Sequence, residues 1–264
     1  MTFDPFWLKV ALSFVFAAII VVLATVAGER AGTKVGGIIG TMPTTIIPAL
    51  YFIGLTNSPT FVAEVTVTIP ATMGANALFL IIFYKAASWN VRLAPFISLG
   101  VWSVVVAPLM LLDFMSIYIS IVIFAMLVTF TWYMFEHRTR LSSMKVGKMR
   151  YPPLVLASRG LLAGTIISLA VVLAQYTGPY VGGIISVFPA IFFSTMFIYT
   201  RAHGVEYAGA MGRVMTLGGS AVTAYAVTAH FAFPAWGLER GTLISFLAGC
   251  LVSIALYSIL KRTR

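Results

Sequence analysis

The chain has 264 residues, of which 60% are hydrophobic and 9% charged, with a mean hydropathy of +1.01. Soluble domains carry about a quarter charged residues, so this composition excludes a water-soluble globule and indicates a multi-pass protein of the cytoplasmic membrane. The net charge of +10 is concentrated in one loop and at the C-terminus, which is typical of membrane orientation rather than of nucleic-acid binding. Cys250 is the single cysteine, which excludes an internal disulfide and a cysteine-based zinc or iron–sulfur site.

The hydropathy pattern predicts an all-α integral membrane protein. A helix that crosses a bilayer needs about 20 mostly apolar residues, and the apolar stretch 93–135 is long enough for two helices with a turn at Asp113. About nine transmembrane helices are therefore expected. In chain order, the predicted spans are 7–28, 35–55, 60–84, 93–112, 115–135, 154–174, 181–200, 207–230 and 240–260.

Positive charges in the loops predict the orientation of these spans. Five of the seventeen lysines and arginines lie in Arg138–Arg150, and three more are in the C-terminal tetrapeptide KRTR. Such residues are enriched in cytoplasmic loops, so the loop 136–153 is expected to be cytoplasmic. Alternation of nine spans then places the N-terminus outside and the C-terminus inside.

A phrase that occurs twice indicates an internal repeat. KVGGIIGTMP runs from Lys34 to Pro43 and YVGGIISVFP from Tyr180 to Pro189, at an offset of 146 residues, as from Gly36 to Gly182. The same offset aligns spans one to four with spans six to nine without a gap. Chance similarity between apolar segments is the alternative, but the matched glycines and proline favour a duplication.

Counting the spans between the two copies predicts their relative orientation. Five spans separate equivalent positions, and an odd number places the copies in opposite orientations across the bilayer. The predicted organisation is a first four-helix repeat (1–112), a linker helix with a basic cytoplasmic loop (113–153), and a second four-helix repeat (154–264). Inverted-topology repeats of this kind build many secondary transporters, in which the solute site lies between the halves.

Each copy of the phrase combines a glycine pair with a proline a short distance later. Glycines remove side-chain bulk and allow another helix to approach closely, whereas proline deletes a backbone donor and breaks the helix. The alternative to a solute site here is a kinked helix contact without a ligand. In either case these positions are expected to serve as hinges or packing sites: Gly36, Gly37 and Pro43, and Gly182, Gly183 and Pro189.

Polar side chains inside the predicted spans are candidate solute ligands. Hydroxyls beside Pro43 could meet a solute or satisfy the carbonyls that the proline frees. Thr72 and Asn76 are four residues apart and therefore lie on one face of the third span, and Ser220 belongs to a comparable stripe in the eighth. The candidates of this kind are Thr41, Thr44, Thr45, Thr72, Asn76 and Ser220.

Arg213 is expected near the middle of the membrane. It lies about nine residues in from Val205, roughly 13 Å at about 1.5 Å per residue. A charged residue at that depth is costly and is a functional candidate by default. Arg213 is therefore a predicted solute-binding residue that favours an anionic or neutral polar solute. A structural ion pair with Glu206 or Glu64 is the alternative.

Two other ionisable residues are candidates for coupling. Titration of Glu64 in the third span would allow proton coupling, and an acid that snorkels to the interface is the alternative. Arg159 lies about one turn from the basic loop, and its side chain is expected to snorkel back to the cytoplasmic interface. His230 is expected at the edge of its span.

Each half, and especially Ala174–Phe231 with its segment AQYTGPYVGGIISVFPAIFFSTMFIYTRAHG, resembles the GlpM-like small four-helix membrane proteins. The resemblance rests on short apolar motifs and supplies no mechanism. It implies a four-helix unit that works as an oppositely oriented pair, here fused through the fifth span. The two halves have diverged, since Arg213 has Val67 as its counterpart and Glu64 has Ala210.

These features predict a small secondary transporter for an anionic or neutral polar solute. The sequence contains no paired-carboxylate, metal-ligand or nucleotide-binding pattern, so no enzymatic activity, cofactor or metal is expected. The other hypotheses are an ion channel lined by polar stripes and a non-transporting accessory or lipid-handling envelope protein. Membrane lipids and a small-molecule or ionic substrate are the expected partners, nucleic acid is not, and a homodimer stays open.

Overall fold

The protein is built from helices. The computed structural model describes residues 5–30, 42–111, 115–138 and 152–262, and these contain no strand. The predicted all-α class is therefore confirmed. The helices are α1 (Pro5–Arg30), α2 (Ile46–Thr56), α3 (Pro59–Thr66), α4 (Ile69–Trp89), α5 (Ala94–Val106, extended by a 3₁₀ turn at Ala107–Met110), α6 (Ile117–Arg138), α7 (Pro153–Thr177), α8 (Pro179–Ser186), α9 (Ala190–His203) and α10 (Val205–Arg262).

Among the described residues, six helical stretches are long and apolar enough to cross a membrane, which supports a multi-pass membrane protein. Two shorter helical stretches, Ile46–Thr56 and Ala94–Met110, are also apolar. The last of the six contains a break at Gly237 (φ 76°, ψ 179°), a backbone conformation that glycine adopts readily. We refer to its two parts as α10N (205–236) and α10C (238–262). The six stretches are Pro5–Ala27, Pro59–Trp89, Ile117–His137, Pro153–Thr177, Pro179–His203 and Val205–Ser258.

Contacts between helix termini define one end of the bundle. The ring of Phe6, at the start of α1, lies 6.0 Å from that of Tyr176 near the end of α7. Gly54, near the end of α2, lies against the side chain of Leu238 at the start of α10C. We call this the Gly237 end.

The opposite end is defined by contacts among α4, α6 and α10N. The ring of Tyr84, near the end of α4, lies 6.0 Å from that of Phe135 near the end of α6. The next residue of α6, Glu136, pairs with Arg213 of α10N. Because α9 ends and α10N begins here, we call this the His203 end.

Small residues bring α1 and α7 close together. A Cβ atom on Gly160 would lie 2.9 Å from Cγ2 of Val22, and one on Gly164 would lie 2.8 Å from the carbonyl oxygen of Phe14. Ala17, between these contacts on α1, is almost completely buried. The four-residue spacing of the glycines is the pattern that allows close helix contacts in membranes. The first helices of the two predicted repeats therefore pack directly on each other.

The stretch Pro59–Trp89 lies at the centre of the bundle. It is the most buried of the six apolar stretches, since 89% of the residues in its most apolar segment are buried. Its longer part, α4, packs against α5, α6 and α10. Two hydrophobic clusters surround it, one containing Phe79 and Phe83 and the other containing Tyr225 and Phe233. This central position allows α4 to contact a break in a neighbouring helix.

Candidate functional site

A cavity of about 120 Å³ lies where α2, α4, α7, α9 and α10N meet. Two interruptions of helical structure border it, one before α2 and one between α8 and α9. Most of its wall is apolar. The lining residues are Met42, Thr44, Thr45, Met73, Asn76, Ala163, Ile166, Ile167, Ser186, Val187, Phe188, Pro189, Ala190, Ile191, Phe192, Met215, Gly218, Gly219 and Val222.

The first interruption precedes α2. The backbone N–H of Thr44 donates to the carbonyl of Met42 at 2.8 Å in a tight turn around Pro43, and α2 begins at Ile46 with Thr45 as its N-cap. The Thr45 side chain makes no capping hydrogen bond. Thr44 and Thr45 line the cavity, so the N-terminus of α2 borders it, and their role as solute ligands stays a prediction.

The second interruption lies between α8 and α9. Val187 leaves the helical region (φ −117°, ψ 24°), Pro189 has no N–H to donate, and α9 starts at Ala190. The first N–H groups of an α-helix have no partner within the helix. Ala190 and Ile191 line the cavity, so the N-terminus of α9 also faces it, and the N–H of Ala190 donates to the carbonyl of Phe188 at 2.7 Å.

The offset of 146 residues found in the sequence also relates residues of the cavity wall. Met73 and Gly219 are neighbours in the wall, since a Cβ atom on Gly219 would lie 3.1 Å from Cε of Met73. Five pairs of lining residues share this offset, and they include both N-terminal regions described above. The pairs are Met42 and Phe188, Thr44 and Ala190, Thr45 and Ile191, Met73 and Gly219, and Asn76 and Val222.

Asn76 holds the second interruption in place. Its side-chain N–H donates to the carbonyl of Val187 at 2.7 Å, and its Oδ1 accepts the indole N–H of Trp102 at 2.6 Å. The Trp102 ring in turn meets the ring of Phe188 edge to face, at 5.2 Å between centroids. Asn76 is 2% exposed. It was predicted as a solute ligand, and the structure gives its amide a bracing contact to a carbonyl that helix geometry leaves free.

Trp102 was not among the predicted site residues. A buried indole N–H nearly always needs an acceptor, so a tryptophan well inside a predicted span was a signal for a polar partner. The partner itself lies 26 residues earlier in the chain, and no sequence pattern pointed to it.

The close approach predicted for the glycine pair occurs at Gly183. A Cβ atom there would collide with the carbonyl oxygen of Val65 and the hydroxyl of Thr68, which lie where α3 gives way to α4. The Thr68 hydroxyl donates to the carbonyl of Tyr180 at 3.2 Å. On the other side of this junction, the N–H of Ala71 donates to Oγ of Ser120 on α6 at 2.8 Å. The two interrupted helices α3–α4 and α8–α9 are thus packed directly on each other.

Arg159 is buried beside the cavity. It is 9% exposed, and its Nη1 donates to the hydroxyl of Thr195 on α9 at 3.2 Å. The expected snorkelling to the interface is not what the structure has, because the guanidinium instead joins α7 to α9. Arg159 lies one turn of α7 from Ala163, which lines the cavity.

Arg213 is placed differently from the expectation. Its guanidinium pairs with Glu136 of α6 at 2.5 Å and lies over the Trp132 ring, 5.0 Å from the centroid. The predicted partners, Glu206 and Glu64, are not the ones it uses. Its side chain is 31% exposed, and Arg213 does not line the cavity even though Met215 does.

The other predicted residues are spread around the bundle. The Thr72 hydroxyl is buried and donates to the carbonyl of Thr68 at 2.8 Å, Ser220 is not part of the cavity wall, and the Glu64 side chain is exposed. Pro43 is buried against Gly249. Thr41, Gly36 and Gly37 lie outside the described residues.

His230 has specific hydrogen-bond partners on α3. Its Nδ1 lies 2.8 Å from the carbonyl oxygen of Ala63 and 3.1 Å from the hydroxyl oxygen of Thr66. A carbonyl oxygen can only accept, so Nδ1 carries the proton in this contact. His230 therefore ties α10N to the end of α3.

The electrostatics of the cavity favour anionic groups and hydrogen-bond acceptors. The N-terminus of an α-helix carries a partial positive charge, and two of them border this space, together with the hydroxyls of Thr44 and Thr45. None of the described lining residues is charged. Such a wall can hold a small polar or anionic group against backbone N–H donors.

No protein-family model, no curated protein and no solved structure matches the chain. The function therefore has to be argued from the cavity and its surroundings.

Proposed function

We propose that the protein is a small secondary transporter and that the cavity between α2 and α9 is its solute site. The observation that carries this proposal is the makeup of the cavity wall. Residues related by the offset of 146 lie on both sides of it, and each side contributes the N-terminus of a helix that follows a proline. Interrupted helices whose N-termini meet at a central site are a recurrent design of secondary transporters.

The proposed topology has nine spans with the N-terminus outside and the C-terminus inside. Nine result when the long stretch Val205–Ser258 is divided at Gly237 and the two shorter apolar helices are counted. The offset of 146 also carries Pro59, the first residue of α3, to Val205, the first residue of α10N. In this topology α6 is the linker that inverts the second half, and the His203 end is cytoplasmic.

The interruptions give this arrangement two ways to open. Backbone groups freed at a helix break are tolerated at membrane depth only where protein or an aqueous cavity satisfies them. Two oppositely oriented halves that each contain such a break can rock against each other around the cavity. The cavity would then open first towards one end of the bundle and then towards the other.

The proposed solute is anionic or neutral and polar. Its polar groups would meet the helix N-termini at Thr45 and Ala190 and the two threonine hydroxyls. A small cation is disfavoured, because the partial charges of both helix ends are positive and none of the described lining residues is acidic.

Accessibility of a cysteine in the cavity tests the proposal. Gly219→Cys is suitable because the nearest neighbour of its added Cβ atom is the flexible end of Met73, and a Cys250→Ser background removes the natural thiol. In reconstituted vesicles we expect a membrane-impermeant thiosulfonate to modify this cysteine from either side. Reaction from one side only would contradict alternating access. Single-channel currents in planar bilayers would show that the protein is a channel rather than a transporter.

A matched control uses a glycine on the outside of the bundle. Gly100 is exposed, and a Cβ atom there meets nothing within 4 Å. We expect Gly100→Cys in the same background to stay unreactive towards the charged reagent, because it faces the lipid. A similar rate at both positions would show that the reagent does not report on the cavity.

A further inference from the structure

We infer that Arg159 and Thr195 form the charge-recognition end of the cavity, and that the solute is a short monovalent organic anion with an apolar body. This inference rests on the proposed transport function and gives that function a substrate class. It is carried by the position of one buried guanidinium, by the two helix N-termini and by the size and polarity of the remaining wall.

Arg159 and Thr195 each lie one helical turn from a residue of the cavity wall, although neither is itself a lining residue. Arg159 and the lining residue Ala163 are four residues apart on α7, and Thr195 and the lining residue Ile191 are four apart on α9. Residues at this spacing share a helix face. The hydrogen bond between Arg159 and Thr195 therefore joins α7 to α9 one turn from the cavity, on its His203 side.

The electrostatics of this end select a negative charge. A guanidinium stays protonated in proteins and presents a planar fork of N–H donors that fits a carboxylate or sulfonate. Arg159 is more than nine-tenths buried, where charges interact more strongly than in water. The N-terminus of α9 begins one turn away at Ala190 and adds its partial positive charge.

The rest of the wall selects a small apolar body. The cavity wall itself is lined largely by side chains such as Met73, Met215, Ile166 and Phe192. Its volume is about 120 Å³, which is small beside the roughly 300–1,000 Å³ of most ligand pockets. A solute with one anionic group and a few carbon atoms matches this space, whereas a second negative charge would have to lie against thioether, aliphatic and aromatic groups.

The experiment compares ligands that differ in charge but hardly in shape. We would measure the thermal stabilisation of the purified full-length protein by butyrate, propane-1-sulfonate, butyramide and butylammonium at constant ionic strength. The wild-type protein should be stabilised by both anions at lower concentrations than by butyramide. Arg159→Met should weaken the apparent affinity for both anions at least about tenfold, because a charge-assisted pair is lost. Its affinity for butyramide should stay within about twofold.

Three further variants separate recognition from folding. Arg159→Lys keeps the charge but loses the planar fork of donors, so its affinity for the anions should lie between those of the wild type and Arg159→Met. Thr195→Val should weaken anion binding with the fold retained. Arg201, whose guanidinium lies over the Phe197 ring near the His203 end, supplies the control, and Arg201→Met should bind like the wild type. Unchanged butyramide binding in Arg159→Met would show that the cavity is intact.

The inference is overturned if butyrate and butyramide bind equally well to the wild type, if no anion of the panel binds, or if Arg159→Met and Thr195→Val leave anion binding unchanged. Each of these results leaves the accessibility of Gly219→Cys as it was, so the solute class would fail while the proposed function stood. If instead Gly219→Cys reacted from one side only while anion binding was retained, the proposed transport function would fail and the solute class would stand.

Discussion

Replacement of Gly183 by alanine is expected to destabilise the protein by about 1–3 kcal/mol, the usual cost of overpacking. The added methyl group would collide with the carbonyl oxygen of Val65 and the hydroxyl of Thr68. Neither obstacle is the end of a long side chain that can turn away. One is backbone, and the other is the short side chain that donates to the carbonyl of Tyr180. Relief would have to come from separation of α8 and the α3–α4 junction.

Gly100→Ala is the matched control for this change. Both glycines are in helices, so both substitutions gain the same intrinsic helix propensity, up to about 1 kcal/mol. Only Gly183 has close neighbours, because a Cβ atom on Gly100 meets nothing within 4 Å. Thermal unfolding in detergent, followed by circular dichroism, should show a lower midpoint for Gly183→Ala than for Gly100→Ala. Equal midpoints would contradict the direct packing of the two interrupted helices.

Asn76→Leu is expected to cost about 1–3 kcal/mol for each of the two buried groups that it leaves without a partner. These groups are the carbonyl of Val187 and the indole N–H of Trp102. The leucine fills a similar volume, so the change removes polarity rather than bulk. The carbonyl of Val187 belongs to the interruption between α8 and α9. Without the N–H of Asn76 as a donor, this part of the cavity wall should also be disturbed.

A double-mutant cycle with Trp102→Phe separates bracing from solute binding. If Asn76 is a brace, the two substitutions share one lost hydrogen bond, and the double variant should be more stable than the sum of the single effects predicts, by about 0.5–3 kcal/mol. Unfolding midpoints of the four proteins in detergent measure this coupling. Additive effects, or an Asn76→Leu protein of unchanged stability with weakened ligand binding, would favour the solute-ligand role predicted from the sequence.

The parts of the structure that depend on local chemistry could be predicted from the sequence. The low content of charged residues and the long apolar stretches are sufficient to predict an all-α membrane protein. Pro189 separates α8 from α9 and Pro43 precedes α2, as expected of a residue that has no N–H to donate to a helix. The offset between these two prolines can be read directly from the amino-acid sequence, and the same offset relates residues across the cavity.

The parts that depend on helix rotation and long-range pairing could not be predicted. Depth in the membrane suggested Arg213 as the central charge, but depth does not say which neighbour a helix face meets, and Arg213 faces Glu136 of α6. Arg159 was expected at the interface because it follows the basic loop closely. The burial of its side chain depends on Thr195, which lies 36 residues further along the chain.

Side-specific labelling of two equivalent positions is the most direct measurement of the central claim, that the halves are oppositely oriented around the cavity. Thr60 and Glu206 are related by the offset of 146, both are exposed, and each lies one residue after the start of its helix. In a Cys250→Ser background, an impermeant maleimide added to intact cells should label Thr60→Cys, and Glu206→Cys should react only after permeabilisation. Labelling of both cysteines from the same side would contradict the account.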